Sequence, residues 1–387
     1  MNNRTVGLLN ICALVLLSSM FVTAAVAQSG SSELADETLD LTEELDDATT
    51  DRTGSLVAVP IPFSNPTLGT GLAIVSAYMY RLNPEDTETP SSFTGAGGFY
   101  SDSESWGFGL AQRFYLKEDR MRLLFGALTT EINYDFFGIG NEAGESGDSI
   151  PLTQEADGAS ATFEYRVAGD LFVGLRLGVA DIVSSVNLSV PVIPSPFLDF
   201  ALSTGTRLED VSFIVRLDHR DHVYAPSDGS LTNLTLSSRK VTGLLKPRRY
   251  EKYKFDYNRY RPLENAVLAY RVSACYVGSE SPFYDVCSFG SNSDLRGYTT
   301  GRYRDRSQVT AQIEYRRPIA GRWAWAAFAG VGAIASTFSD LSTDELLPAA
   351  GAGIRFTVSE EQRISLRVDF ARGADESTLH ISVGEAF

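Results

Sequence analysis

The stretch Val309-Thr310-Ala311-Gln312-Ile313-Glu314-Tyr315-Arg316 decides the fold. Val309, Ala311, Ile313 and Tyr315 point one way, and Thr310, Gln312, Glu314 and Arg316 the other, at the period of two that a β-strand imposes. A strand with one apolar and one charged face suits a barrel with lipid outside and water inside. Just upstream, Gly290-Ser291-Asn292-Ser293-Asp294-Leu295-Arg296-Gly297-Tyr298 forms a polar loop carrying an Arg-Gly-aromatic tripeptide, a weak signal alone. The alternation recurs at the end of the chain in Leu379, Ile381 and Val383, with Gly384 and the aromatic Phe387 completing a last strand over 378–387.

Working outward, about sixteen strand-like runs follow from residue 55, with fourteen as the alternative count. An even number of runs of roughly ten residues is the pattern of an outer-membrane barrel. Tight connections fall at 117–120, 168–170, 262–265, 318–322 and 359–362, and long polar ones at 141–157, 182–209, 278–307 and 336–348. Short periplasmic turns and long outer loops give that alternation. Glu164, Arg166, Arg176, Arg216, Asp218, Arg271, Glu314, Arg316, Arg367 and Asp369 alternate with apolar neighbours. An Arg or Lys facing lipid at the midplane costs about 2–4 kcal/mol, so such residues face water or one another. A β-sandwich with a solvated face would alternate similarly. The loop asymmetry and the exported, aromatic-ended chain favour an all-β fold: a transmembrane antiparallel β-barrel of about 16 strands, outer-membrane type, over residues 53–387.

Residues 1–27 read as a signal peptide. Arg4 supplies the positive start, 6–22 are mostly apolar, and Ala25-Val26-Ala27 fits a small-x-small cleavage site. No other window offers the roughly 18 apolar residues that a spanning helix needs. Residues 28–52 are acidic and core-poor, which favours disorder, with one short helix through Leu34, Leu41 and Leu45 as the alternative. Removing the leader leaves 32 basic against 49 acidic residues, a net charge of −17 that argues against nucleic acid as a partner. Cys275 and Cys287 remain. Export into an oxidising compartment makes a disulfide at the base of the loop holding Arg296 the expectation, and two free thiols the alternative.

Several pieces in order resemble the bacterial surface antigen family, the outer-membrane assembly superfamily of BamA, TamA and mitochondrial Sam barrels. They are residues 134–140 (YDFFGIG), Asp218-His219-Arg220-Asp221 with Pro226, Asp228 and Gly229, the Gly290–Tyr298 loop, Ile313-Glu314-Tyr315-Arg316, and residues 381–387 (ISVGEAF). The resemblance implies a sixth extracellular loop folded back into the lumen, with Leu295, Arg296, Gly297 and Tyr298 at its tip. A confined arginine cannot lose its charge and needs carboxylates or carbonyls. Glu314 is the first candidate partner and Asp369 the second. Relatives often carry an acid after the aromatic on the next strand, where Gly330 stands here in Phe328-Ala329-Gly330. Relatives also carry POTRA domains, for which residues 28–52 leave no room.

The resemblance further implies a cell outer membrane location, with outer-membrane lipid and lipopolysaccharide as surroundings. The barrel assembly machinery would insert the chain, and outer-membrane proteins would be its substrates. No catalytic set emerges: there is no G-x-S-x-G elbow, and no cofactor motif. His219 and His222 sit beside Asp218 and Asp221 in a turn, where plain surface residues are the better reading than a metal site. Lys246, Arg248 and Arg249, with Arg239 and Lys240, form a basic loop cluster that could meet lipopolysaccharide or simply be solvated. Two functions compete: a protein insertion or translocation factor, and a passive pore or structural barrel.

Overall fold

A computed structural model describes residues 55–83, 89–187, 203–222, 225–243, 246–291, 293–359 and 363–387. The expected signal peptide and the acidic segment after it lie outside these residues. The barrel strands begin with β1 (Ser55–Asn65), β2 (Gly69–Tyr80), β3 (Ser92–Ser101), β4 (Trp106–Leu116), β5 (Met121–Phe136) and β6 (Ile150–Ala168). They continue with β7 (Leu171–Val186), β8 (Ser203–Asp218), β9 (Gly229–Thr242), β10 (Arg248–Leu263) and β11 (Ala266–Val277). The long loop after β11 contains the two-residue β12 (Cys287–Ser288) and β13 (Arg304–Asp305). β14 (Ser307–Ala320), β15 (Trp323–Ala335), β16 (Leu347–Ser359), β17 (Ile364–Arg372) and β18 (Ser377–Val383) complete the wall. Each barrel strand pairs with its neighbours, and β18 returns to β1, closing sixteen antiparallel strands.

The alternation read from the sequence sets the two faces. Ile74, Tyr100, Leu110, Phe213, Ile313 and Phe370 are exposed on the outside, whereas Glu164, Arg176, Arg216, Glu314, Arg367 and Asp369 are buried inside. One wall departs from the ionic pattern. Ile61, Phe63, Ala73, Val75, Met79 and Phe93 of β1–β3 are apolar and buried on the inner face. These strands are apolar on both faces, so no charge marks their inner side in the sequence.

Two connections expected to be long are partly strand. β6 starts at Ile150, β7 runs to Val186 and β8 starts at Ser203. Their outer ends carry Glu155, Asp157, Asp181 and Glu209 facing outward, all exposed. With charge outside, the apolar signal that marks a membrane strand is missing. A short helix α1 (Asn141–Ser146) lies in the loop before β6. The last strand also ends early. It stops at Val383, Gly384 takes φ 76°, and residues 385–387 turn into the lumen.

The closure between β1 and β18 is thin. Among the described residues, its register pairs Ser64 with Ile381 alone. The ladder from β1 to β2 is unbroken from Ser55↔Met79 to Asn65↔Gly69, through Pro60 and Pro62. Successive residues of a strand aim their main-chain groups to opposite sides, and proline has no N–H to give. An unbroken ladder past two prolines must therefore be made by the odd-numbered residues. Pro60, Pro62 and Ser64 face the seam, and two of the three bring no donor. Proline in a sheet is confined to such edges.

Continuing the Ser64↔Ile381 register places Pro62 opposite Val383. Pro62→Ala restores one donor there, for an expected gain of about 0.5–1.5 kcal/mol. Removing the proline also loosens the unfolded chain by about 0.4–1 kcal/mol, so the melting temperature should barely move. The informative reading is local. Amide exchange at Ser64 and Ile381 should slow in Pro62→Ala, and unchanged exchange would show that the missing donor does not limit the seam.

Candidate functional site

The long loop between β11 and β14 enters the barrel and is held at two places. Its first limb is tied to the wall by the Cys275–Cys287 disulfide, with Cα atoms 5.8 Å apart. That bridge closes the limb 275–287 and not the segment carrying Arg296, so it does not span the base of the whole loop. Inside the limb, the Asp285 carboxylate receives the Tyr250 hydroxyl at 2.7 Å and Lys252 Nζ at 3.0 Å, and pairs with Arg239. Burial opposes the Asp285 charge, but Arg239 and Lys252 outweigh it and hold the carboxyl below its usual range. Tyr284 adds a 2.6 Å hydroxyl contact to Thr206.

The second limb carries the tip. Leu295 is fully buried among Phe289, Ile334, Leu347 and Ala349. The position of Gly330 now has a physical reason: a Cβ there would come within 3.0 Å of Leu295 Cδ1 and 2.7 Å of Gln312 Cγ. A larger side chain on β15 would close the space the loop tip fills. Gly297 adopts φ 127°, and a Cβ would meet the backbone of Arg372 and Gly373 at 2.9 Å. Tyr298 donates its hydroxyl to Pro348 O at 2.6 Å and accepts from the Ala374 amide at 3.1 Å. Asp294 accepts from Gln308 at 2.9 Å and Thr310 at 2.6 Å. Glu376 accepts from the Thr299 amide at 2.9 Å.

Arg296 is buried and pairs with Glu314 and Asp369 together. The sequence offered these as alternatives; the structure uses both, from β14 and β17. The guanidinium also lies 3.6 Å above the Phe328 ring, a favourable cation–π position. Glu314 is shared with Arg316 Nε at 2.7 Å and Arg355 Nη2 at 3.4 Å. Asp369 is shared with Arg355, and with Arg367 Nη1 at 3.5 Å. Glu385, from the segment after β18, reaches Arg355 Nε at 3.2 Å and Arg316 Nε at 3.5 Å. Four guanidiniums, those of Arg296, Arg316, Arg355 and Arg367, thus meet three carboxylates.

Arg355 and Glu385 were missed in the sequence. Arg355 lies among apolar neighbours at the same alternation as Arg367, so parity could have found it. Glu385 could not be found that way, because it follows the turn at Gly384. Asp285 sits between Tyr284 and Val286 in a loop, where no period reports direction.

Of the end-of-chain residues, Leu379 is exposed outside, Ile381 pairs across the seam, and Val383 is buried in the apolar cluster that includes Ile61 and Phe63. Phe387 instead packs inside with Tyr260 and Ala269. The basic cluster assembles only in part: Arg249 and Lys240 are register partners on β10 and β9, whereas Arg239 is buried inside. Arg239 is buried against Asp210 at 3.0 Å, Lys240 pairs with Glu209 outside at 3.0 Å, and Arg248 and Arg249 open β10 as exposed residues. His219 lies 3.8 Å from Asp170, while His222 Nδ1 accepts from the Ala225 amide at 3.3 Å. His380 lies buried beside Thr378.

A closed sixteen-strand barrel with an apolar outer face and a re-entrant loop pinned by arginine defines an outer-membrane-type β-barrel. The Omp85 superfamily domain matches residues 99–387, and the chain belongs to that superfamily. Among solved structures it is similar to BamA from Haemophilus ducreyi lacking POTRA domains 1–3, at 16% identity and a TM-score of 0.60, covering 86% of this chain and 70% of that one. It is also similar to CdiB from Acinetobacter baumannii, at 13% identity and a TM-score of 0.54, covering 85% of this chain and 59% of that one. CdiB from Escherichia coli matches at 12% identity and a TM-score of 0.57, covering 86% and 62%. No protein of curated function matches the sequence. Likeness at these identities speaks for the fold.

The charge balance decides what each substitution does. Without Arg296, Glu314 and Asp369 keep Arg316, Arg355 and Arg367, so no carboxylate is stranded. Without Glu314, four guanidiniums share two carboxylates. Glu314→Gln and Asp369→Asn should therefore destabilise by on the order of 3–5 kcal/mol, the scale for leaving a buried charge uncompensated, and Arg296→Ala by clearly less. Denaturant unfolding of the purified barrel measures this; equal losses for all three would refute the shared-cluster account.

Proposed function

We propose that this barrel is a protein insertion or translocation factor that works at its β1–β18 seam. The observation that carries the reading is the seam itself. One register pair closes it, and Pro60 and Pro62 leave β1's edge short of donors. An edge with unsatisfied carbonyls accepts an extended polypeptide by strand addition. The missing donors make such pairing weak, which suits a strand that must later leave. The apolar inner wall of β1–β3 lies beside this edge and matches the apolar face of an amphipathic strand. Outer-membrane proteins are the substrate class, by likeness to BamA, and the surrounding lipid is the second partner. Arg296 and its carboxylates act as the latch that fixes the long loop in the lumen.

A passive pore is the competing reading. Arg113, Arg176, Arg239, Tyr250 and Tyr260 line the inner wall, yet each is less than 2% exposed. A water-filled channel would expose its wall, so this burial weighs against a pore.

The test is reconstitution in liposomes with a urea-unfolded eight-stranded outer-membrane barrel as substrate. Pro62→Cys with Val383→Cys provides a lock across the seam. The unlocked protein should accelerate folding of the substrate over empty liposomes. The lock should abolish the acceleration and a reductant should restore it, with wild type in the same reductant as the reference. No acceleration by the unlocked protein, together with ion conductance indifferent to the lock, would establish the pore instead.

A further inference from the structure

We propose that the outer face of β8–β10, just above the apolar band, docks the phosphate head of an outer-leaflet lipid, received by Lys240 and Arg249. The first support is level. Leu175, Phe213, Leu236 and Tyr253 share one register row across β7–β10, and all four are exposed on the outside. Tyr253 stacks on Tyr276, and Tyr276 on Phe338, each with ring centroids 6.0 Å apart. An aromatic row of this kind marks the edge of the lipid band. Four residues further out along each strand, Glu209, Lys240 and Arg249 again share a row. That is about 13 Å along the strand, or about 10 Å of height at the tilt of a barrel strand. The row therefore stands in the polar layer, and long basic side chains reach down from it toward the headgroups.

The second support is charge. Lys240 and Arg249 lie directly opposite each other in the β9–β10 register. Like charges so placed destabilise a sheet, and an anion between them removes the repulsion. Glu209 holds Lys240 from the far side at 3.0 Å. Arg207 is taken by Asp181 at 3.0 Å, and Arg248 by Glu280 at 3.7 Å. Arg249, by contrast, makes no ion pair among the described residues, although Glu251 lies two positions along the same face. Lys246, in the turn before β10, makes none either, and both are exposed. In a chain with a net charge of −16, two cations without a carboxylate at one strand end are a local exception. A phosphate monoester brings about −1.5 to −2 charges and several acceptor oxygens to such a place.

Continuity with the apolar band decides for a lipid over a dissolved anion. Only the row of Val211, Ser238 and Glu251 separates the cations from Phe213, Leu236 and Tyr253. A phosphate carried on acyl chains covers the apolar row and meets Lys240 and Arg249 together, whereas a free phosphate gains the second contact alone. The site lies far from the seam: β9 is eight strands from β1 in either direction around the ring of sixteen. It anchors the continuous side of the wall in the headgroup layer, and it does not rest on the insertion reading.

Native mass spectrometry of the folded, full-length barrel in detergent tests the site. Bisphosphorylated lipid A is the probe, and the same lipid stripped of phosphate is the reference. Heat-modifiable migration checks that each variant is folded. The unaltered chain should prefer the phosphorylated lipid by about twentyfold, on the scale of about fivefold for each basic residue beside anionic lipid. Lys240→Gln and Arg249→Gln should each weaken binding about fivefold, and Arg249→Lys should retain it. Glu209→Gln, which frees Lys240, should tighten it. Arg317→Gln with Arg322→Gln removes as much charge at the other end of the barrel and should change nothing. Equal retention of the two lipids overturns the proposal, as does a loss no larger for Lys240→Gln with Arg249→Gln than for the Arg317 and Arg322 pair. Displacement of the lipid by millimolar inorganic phosphate would also overturn it, because the acyl chains would then have no part in the site.

Discussion

Charge enclosed in the barrel cannot be left unpaired, and the cluster around Glu314 and Asp369 is where that constraint is met. A buried guanidinium stays ionised, so its cost is recovered only through good geometry to carboxylates. Arg296 can be inside only because β14 and β17 each bring an acid to it, and Arg355 lies on β16, one of the two strands between them. The loop's path follows from that. Its tip must come down to the level of Glu314, which forces Leu295 against β15 and makes small residues at Gly330 and Gly332 a requirement of space. An ion pair of this kind is weak evidence for stability but good evidence for position: it fixes where one loop can sit. The Asp285 anchor does the same for the first limb, with the disulfide shortening the chain it must control.

The seam is weak for covalent and conformational reasons, and not through poor packing. Val383 is buried at the closure, in the same apolar cluster as Ile61 and Phe63, so contact is not what is lacking. What is missing is main-chain pairing. Two prolines remove donors from one edge, and a left-handed glycine takes the other edge out of the sheet. Each is a local property of one or two residues. Neither demands a rearrangement of the fourteen strands between, whose ladders run nearly without interruption. A barrel can thus be stiff around its circumference and loose along one line.

Much of this was legible in the sequence wherever lipid met one face and charge the other. The run 309–316 announced its strand because Ile313 and Glu314 cannot exchange sides. Arg367 and Asp369 announced an inner wall for the same reason. Legibility failed where the two environments were alike. Ile61 and Ile74 lie on opposite faces of the β1–β2 wall and look the same in sequence. Glu155 and Asp181 stand on the outside of strands above the apolar band, so their strands read as loops. The site divides likewise. Arg296 with Glu314 or Asp369 was within reach, because a confined cation needs an acid and strand parity names the acids. That both would serve, and that Glu385 would join them, depends on three-dimensional closure that no period encodes. Phe387 reads as the aromatic end of a lipid-facing strand until Gly384 changes its direction.

These features together bear on direction of movement. The loop fills the lumen and is pinned at two levels; the segment after β18 fills the lumen below it, on the arginines that also serve the loop. A route along the barrel axis would have to break both sets of charge pairs at once, and because they share Glu314, Arg316 and Arg355, each would resist until the other yields. Coupled contacts of this kind do not fail independently. A route through the wall faces one register pair and two absent donors. On the proposed reading the lateral path is therefore the cheaper by construction. The ionic cluster leaves that line alone, because Arg316 and Arg355 hold residues 385–387 in the lumen and out of the sheet.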